Sequence, residues 1–436
     1  MRVERYESWS GLLSGSSYAA AGLDDWLEGC RRGMLLAPRG AGRSFGDAAF
    51  GVPGGMTCSA PSGGPTELVV PDRIVYAAAG ETVGAVHRFL EGTAFEFPVY
   101  GGTQWASVGG AVAGDIHGKN HRAEGSFGCH VRTIDLVVAS GATIRCSRAC
   151  KPDLFHATLG GMGLTGLILK VGLDVRPRAT SGLVVRRRQI GGLDDVWHSF
   201  SSGAGGAGNF ATFFDLAQRG ARGLIFEAEH SSLPPPPPRP PRRIGLPRMP
   251  LLTPAVIRAA GDMVLAATRR PREAVIHRLD FHYSGLHEHF YGWNRLFGRK
   301  GMVEYQFVAP QQVFPALVDT FVALARGGRA PMLAAVIKPM GMARSGGVLS
   351  FPMAGATINF QTPWSPMALD WLRRGTEAVI ALGGRVNLTK DCCIQPDQFA
   401  RMYPALERWR LIAKAHDPDS RIMTALARRL RVKPYV

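Results

Sequence analysis

Over the first 175 residues, apolar and polar positions come in short bursts separated by glycine turns. "RIVYAAA" (73–79) and "TIDLVVAS" (133–140) are apolar runs of strand length and predict buried β-strands. Between them, "ETVGAVHRFLEG" (81–92) has helical spacing, with Val83, Val86, Phe89 and Leu90 on one side and Gly92 as its stop. Strands alternating with helices predict an α/β or α+β unit.

The pattern breaks at "SSLPPPPPRPPRRIGLPRMP" (231–250), where nine prolines exclude a helix or a central strand. A polyproline II segment or mobile loop is expected there. Arg239, Arg242, Arg243 and Arg248 make it basic. It reads either as a solvated insertion or as a flap touching anionic lipid headgroups. Beyond it, "PQQVFPALVDTFVALARGG" (310–328) and "SPMALDWLRRGTEAVIALGG" (365–384) have helical spacing. Ser365 caps the second, Pro366 suits its first position and Gly383 ends it. The strand-like "MLAAVIKPMG" and "ATINFQTP" lie between, which predicts a second α+β unit with an antiparallel sheet. Residues 397–431 read as helical and basic.

Composition narrows the class. A chain of 436 residues exceeds one ordinary core, so two domains are expected. Glycine, at 54 residues, has no strict period, which excludes a collagen-like chain. There is no run of eighteen apolar residues, and the opening "MRVERYESWSG" has no apolar signal core, so a cytoplasmic protein is expected. Seven cysteines without a CxxC pair suggest neither a disulfide framework nor a zinc ribbon. His117 and His121, and the segment "LHEHF" (286–290), have metal-like spacing but lack a third ligand, so no metal is expected. A net charge of +17 suits nucleic acid, an anionic membrane surface or an anionic substrate. No nucleic-acid-binding signature accompanies it, so no nucleic-acid partner is expected.

Three glycine loops carry the candidate chemistry: "PRGAGRSFGD" (38–47), "GGTQWASVGGAVAGDIHGK" (101–119) and "LGGMGLTG" (159–166). Glycine lets main chain approach a ligand closely, and successive N–H groups form a concavity for phosphate oxygens. None has Rossmann or P-loop spacing. Together they predict a large, doubly charged ligand held mainly by main chain.

These loops, with "VGGAVAGDIHGKNHRAEGSFGCHVRTIDLV", "DLFHATLGGMGLTGLI", "GWNRLFGRKGMVEYQFVAP", "LSFPMAGATINFQTP" and "GGRVNLTKD", resemble the FAD-dependent oxidoreductases of the vanillyl-alcohol-oxidase type. The resemblance is collinear over nearly the whole chain. It implies an α+β fold with a bipartite FAD-binding domain, residues 1–176 completed by 386–436. A substrate (cap) domain with an antiparallel sheet, residues 177–385, would be inserted between them and carry the Pro-rich loop.

The resemblance also implies which residues hold the cofactor. In the first loop these are Arg39, Gly40, Ala41, Gly42, Arg43, Ser44 and Gly46. In the second they are Gly102, Thr103, Val108, Gly109, Gly110, Ala113, Gly114, His117 and Gly118, followed by Asn120 and Gly125. Gly161, Gly163, Thr165 and Gly166 follow in the third, and Lys390 comes late in the chain. Arg43 stands where many relatives attach FAD covalently through a histidine, so non-covalent FAD is implied.

His117 would bond the flavin or the sugar, or act as base. Lys390 would stabilise negative charge on the reduced flavin. Lys338 would meet a sugar hydroxyl or phosphate, or else reach solvent. Gln306 and Asn359 would line the substrate pocket, with Tyr305 on the opposite strand face. Lys119 either anchors a phosphate or stiffens its loop. Glu304, Ala356 and Asn359 depart from the residues expected in some relatives, which leaves the substrate open.

The implied reaction is oxidation of a sugar hydroxyl to a ketone by hydride transfer to flavin N5. In the most similar branch it occurs at C2 of a polyprenyl-phosphoryl ribofuranose. An NAD(P)H-dependent partner reductase would complete epimerisation of ribose to arabinose. A lipid-linked substrate would suit a peripheral position on the inner face of the membrane. Two other readings stand beside it: an oxidase of a soluble sugar alcohol or aldonolactone, and a basic binding protein without catalysis.

Overall fold

The computed structural model describes residues 2–203, 205–214, 216, 222–241, 244–285, 288, 290–327 and 334–433, in a mixed α and β fold. Near the start, the strands Arg2–Glu7, Ser14–Ala21, Met56–Ser59 and Leu36–Arg39 form a small sheet in that spatial order. A five-stranded antiparallel sheet follows, with Leu167–Asp174 at its centre between Ile74–Ala78 and Val131–Val137. Its core includes Val75, Ala77, Ile134, Leu136 and Val171, all buried.

The helix Val83–Glu91 covers this sheet, capped by Thr82, whose side chain accepts from the Ala85 N–H. It buries Val83, Val86, His87 and Leu90, whereas Phe89 is 39% exposed. The expectation for Phe89 is thereby corrected. At 100° per residue Val86, Leu90, Val83 and His87 form a stripe about 100° wide, and Phe89 falls about 60° beyond its edge.

Eight strands drawn from residues 182–386 form an antiparallel sheet. Three adjacent ones matter for the site: Ala334–Met340, Gly355–Pro363 and Met302–Ala309. Their period-2 alternation divides two faces. Val303, Tyr305, Phe307, Ala335, Ile337, Ile358 and Phe360 join the large core. The helices Phe314–Gly327 and Pro366–Ala381 bury Phe321 and Trp371 in that same core. The Tyr305 hydroxyl is satisfied there by Thr376 at 2.7 Å. The intervening residues Glu304, Gln306, Lys338, Thr357, Asn359 and Gln361 belong to the opposite face.

The first of these helices starts at Phe314 rather than 310, because Pro310–Val313 close a turn. The second begins after Ser365, which accepts from the Ala368 N–H, and Gly383 follows at φ +70°. The C-terminal stretch, expected to be helical, holds the three helices Pro396–Met402, Leu406–His416 and Ala425–Arg429.

The end of the chain returns to the first sheet. Leu36 N–H donates to Arg421 O and Met423 N–H donates to Leu36 O, each at 2.7 Å. Arg429 bridges Asp47 and the fully buried Asp391 at 2.8 Å.

The Pro-rich segment has no helix among its described residues. It includes the two-residue strand Ile244–Gly245, paired in parallel with Phe290–Tyr291, and an Arg248–Glu7 ion pair of 2.8 Å. Arg242 and Arg243 lie outside the described residues, as do Gly328, Met332 and Leu333 and the histidines His287 and His289 of "LHEHF".

Candidate active site

The three glycine loops converge. Ser107 caps the short helix Val108–Ala113, and its hydroxyl accepts from both Gly110 N–H and Ala41 N–H at 3.2 Å. A Cβ on Gly40 would stand 2.1 Å from that hydroxyl, so only glycine permits the contact. From the third loop, Gly160 N–H and Met162 N–H donate to Val112 O and Ala113 O, at 3.0 and 2.9 Å. The first loop is tied to the late lysine segment as well: Phe45 N–H donates to Thr389 O at 2.8 Å. A Cβ on Gly46 would fall 2.0 Å from Asp391 O.

Not all these glycines face outward. Ala41, Gly102 and Gly110 are exposed, and a Cβ on Gly102 would meet nothing within 4 Å. Gly109 is buried, its would-be Cβ 2.9 Å from Ala79 Cβ, and that of Gly114 would lie 3.0 Å from Thr389 Cγ2. Gly161, Gly163 and Gly166 are buried, their would-be Cβ atoms 2.1 Å from Ala157 O, 2.8 Å from Pro38 and 2.5 Å from Val137 O. Packing alone therefore requires glycine in the third loop. Thr165 is spent there too, bonded to Thr158 at 2.9 Å. Arg39 donates to Ala49 O at 2.7 Å, and Arg43 lies over the Trp9 ring at 4.1 Å. Ser44 O accepts from Trp9 N–H at 2.8 Å, and Thr103 Oγ1 accepts from Trp105 N–H at 3.3 Å.

The loop carrying His117 is held by Asp115, which adopts a strained φ of +39°. Its carboxylate accepts from Gly128 N–H at 2.8 Å and from Ser345 at 2.5 Å. Lys119 donates to Phe281 O, His282 O and Ser284 Oγ at 2.5, 3.1 and 2.7 Å. Burial pulls its pKa down to about 7. The three acceptors act in the opposite sense, since a neutral amine has only two N–H groups to offer. All three ammonium donors are used, so Lys119 stiffens its loop rather than anchoring a phosphate. Asn120 donates to Pro98 O at 2.7 Å and leaves its buried Oδ1 without a hydrogen-bond partner. A Cβ on Gly125, at φ +73°, would collide with Cys129 Sγ at 2.7 Å.

Across from these loops stands the polar face of the sheet. Gln306, 1% exposed, is the centre of an ordered relay. Thr389 donates to Asn387 Oδ1 at 2.8 Å, and Asn387 Nδ2 donates to Gln306 Oε1 at 2.9 Å. The Gln306 amide nitrogen then donates to Thr357 Oγ1 and to His117 Nε2, both at 3.0 Å. That direction fixes the tautomer: Nε2 of His117 accepts, so its proton sits on Nδ1. Burial, reinforced by Lys338, His121 and Lys390, holds the His117 pKa well below the usual histidine value. His117 is neutral.

Next to the relay, Lys390 pairs with the buried carboxylate of Glu304 at 2.5 Å and reaches Asn359 Oδ1 at 3.4 Å. Gln361 donates to the other oxygen of Glu304 at 2.8 Å. Lys338 lies on the neighbouring strand, level with Thr357. Burial and the charge of Lys390 pull its pKa down to about 8, against a smaller opposing pull from Glu304. His121, pulled to about 4 by burial and Lys338, accepts from Gly341 N–H at 3.1 Å and leaves its other ring nitrogen without a hydrogen-bond partner.

The structure thus gathers His117, Gln306, Asn359, Lys338 and Lys390 in one place. Sequence reasoning missed Ser107, Thr357, Asn387 and Thr389, which position them. It also missed that Glu304 and Lys390 form a pair. One signal was available: Glu304 and Gln306 are polar residues two apart in an otherwise apolar strand.

Exposed main chain at Ala41, Gly102 and Gly110, in loops of which the first and second are joined by Ser107, is a surface that a large cofactor can approach closely. Residues 26–147 match the model of an FAD binding domain. The chain belongs to the FAD-dependent oxidoreductases. It is 30% identical over 92% of its length to the decaprenylphosphoryl-beta-D-ribose oxidase of Mycolicibacterium smegmatis, covering 90% of that protein, and falls in the same family. An uncharacterized protein of Streptomyces coelicolor is 32% identical over 76% of this chain and 95% of its own. Cytokinin dehydrogenase 4 of Arabidopsis thaliana is 30% identical over 33% of this chain and 28% of its own.

Proposed function

We propose that this oxidoreductase uses non-covalently bound FAD to oxidise C2–OH of a polyprenyl-phosphoryl ribofuranose to the 2-keto sugar. The carrying observation is the buried constellation of Gln306, His117, Asn359, Lys390 and Lys338 opposite the glycine loops. The full-length similarity to an oxidase whose name gives that substrate supports it. In this reading residues 1–176 and 386–436 hold the cofactor, and the eight-stranded sheet of the intervening segment forms the substrate side.

When bound, FAD accepts the hydride released from the sugar carbon. The residues supply the rest. His117 is held neutral with its Nε2 occupied by Gln306, so it acts as a hydrogen-bond donor through Nδ1 and not as the base. The hydroxyl proton reaches Glu304 through Lys390, whose ammonium gives a proton to the carboxylate 2.5 Å away as it takes the one from the sugar. Lys338, an ammonium below pH 8, attracts the phosphate. Asn359 orients Lys390. The 2-keto product needs a second hydride from a partner reductase to become the epimeric alcohol.

Two measurements test this. Acid precipitation of the yellow protein should release flavin into the supernatant. Polyprenyl-phosphoryl-ribose dispersed in detergent, with an artificial electron acceptor, should yield a product that borodeuteride labels at C2. Flavin retained in the pellet, together with turnover of free alditols or aldonolactones, would replace this reading with a soluble-sugar oxidase.

A further inference from the structure

The helix Pro254–Ala267 is apolar on its outer side as well as on its inner one. Its 14 residues, "PAVIRAAGDMVLAA", include one arginine and one aspartate. The inner side seats on the sheet through Gly261, whose Cβ would fall 2.6 Å from Phe214 Cβ. At 100° per residue, the arc of about 120° opposite Gly261 carries Ala255, Val256, Ala259, Met263, Ala266 and Ala267, all exposed. Met263 is 73% exposed and Val256 is 48% exposed. Asp262, about 20° beyond Ala255, borders the arc and is engaged by Arg222 at 3.9 Å, while Arg258 lies nearer the Gly261 side. A solvated helix normally turns its charges outward and its apolar stripe inward.

The surroundings say what covers this face. Exposed Arg269 and Arg270 follow the helix directly, in a chain of net charge +17. Leu251, 51% exposed, extends the apolar surface at its start. An apolar arc edged with arginines is complementary to an anionic lipid surface. The inner side adds a second argument. Ile257 packs into a cluster with Trp293, Phe297 and Phe45, and the Lys390 ammonium lies 5.8 Å from the Phe45 ring. Apolar packing therefore runs without a break from the outer helix to the candidate active site.

We infer that the helix Pro254–Ala267 docks on an anionic bilayer surface and so delivers the site to a substrate anchored in that membrane. The inference rests on the lipid-linked reading above. The helix lies on the surface; no helix among the described residues is long and apolar enough to span it.

The test uses the full-length, FAD-loaded protein and flotation with vesicles of phosphatidylcholine alone or with 30% phosphatidylglycerol, a composition chosen for the assay on the order of natural anionic surfaces. The protein should float with anionic vesicles, and the variant carrying V256E and M263E should float about tenfold less. Arg269→Glu with Arg270→Glu should weaken flotation in the same direction, and added salt should do likewise. All four positions are exposed, and retained flavin absorbance and unchanged melting temperature report intact folding. Absence of flotation, or equal flotation of the V256E/M263E protein, overturns the inference. So does a dimer in lipid-free solution that V256E/M263E splits, since a second copy would then be the occupant. Flotation requires no turnover, and detergent-dispersed substrate requires no docking, so this inference and the substrate reading fail separately.

Discussion

Gln306 and His117 come from strands and loops 189 residues apart in sequence, yet the Gln306 amide donates to His117 Nε2 at 3.0 Å. The direction of that bond is set two residues further back, by Asn387 donating to the Gln306 carbonyl oxygen. A glutamine thus decides the tautomer and charge of the histidine. Gln306→Met keeps the volume and strands both His117 Nε2 and Asn387 Nδ2 without partners. The expected loss is about 1–3 kcal/mol of stability and about 10- to 100-fold in kcat/KM. Nitrogen NMR of labelled histidine should show His117 leaving the pure Nδ1–H form.

Lys390 and Glu304 are a close pair with very unequal exposure, 23% and 3%. Lys390→Met abandons a carboxylate in the interior. The expected cost is about 2–3 kcal/mol, below the range for fully buried pairs because the lysine side is partly solvated. Adding Glu304→Gln to Lys390→Met should recover most of that stability without recovering turnover. Thermal unfolding of the four proteins of the cycle, beside their kcat values, checks both halves.

Lys338 gives the site a pH limb of definite sign. Its pKa lies near 8, lowered from 10.5, so the ammonium is present below pH 8 and lost above it. If it holds the substrate phosphate, KM rises as pH passes upward through about 8 while kcat changes less. Lys338→Arg keeps the charge at every accessible pH and should flatten that limb. Lys338→Met should raise KM at pH 7 toward the high-pH value of the unaltered protein.

Ser107 joins two loops through one oxygen. Ser107→Ala removes the acceptor for Gly110 N–H and Ala41 N–H together. The expected effects are about 1 kcal/mol of stability and a weakening of FAD affinity of about tenfold. Titration of the deflavinated protein with FAD, followed by flavin fluorescence, measures it. Ser107→Thr should retain most of the affinity.

What the sequence made legible follows from how local each signal is. The helix after Ser365 was readable because cap, proline and stop glycine all sit within its own span. The strand Met302–Ala309 was readable as apolar, but its two faces serve different purposes, and Glu304 meets Lys390 only because a distant segment crosses it. The glycine loops were legible as ligand-approaching turns. Their division into exposed glycines such as Gly102 and packing glycines such as Gly161 was not, since it depends on what lies behind each one. Phe89 illustrates the same limit in a helix: apolar character was visible, while the angle that exposes it needed His87 to be accepted as a core residue.

The return of residues 421–429 to the first sheet has a consequence for how the protein is made. Leu36 exchanges two main-chain bonds with residues nearly 390 positions later, and Arg429 clamps the first glycine loop through Asp47. A nascent chain therefore emerges with the partners of these contacts apart. The contacts close only after residues 421–429 have left the ribosome. Closing contacts of such long range late in folding is slow. During that interval the main-chain groups of Leu36 that await residues 421 and 423 stay without those partners, and an unpaired strand of this kind is where misassociation begins.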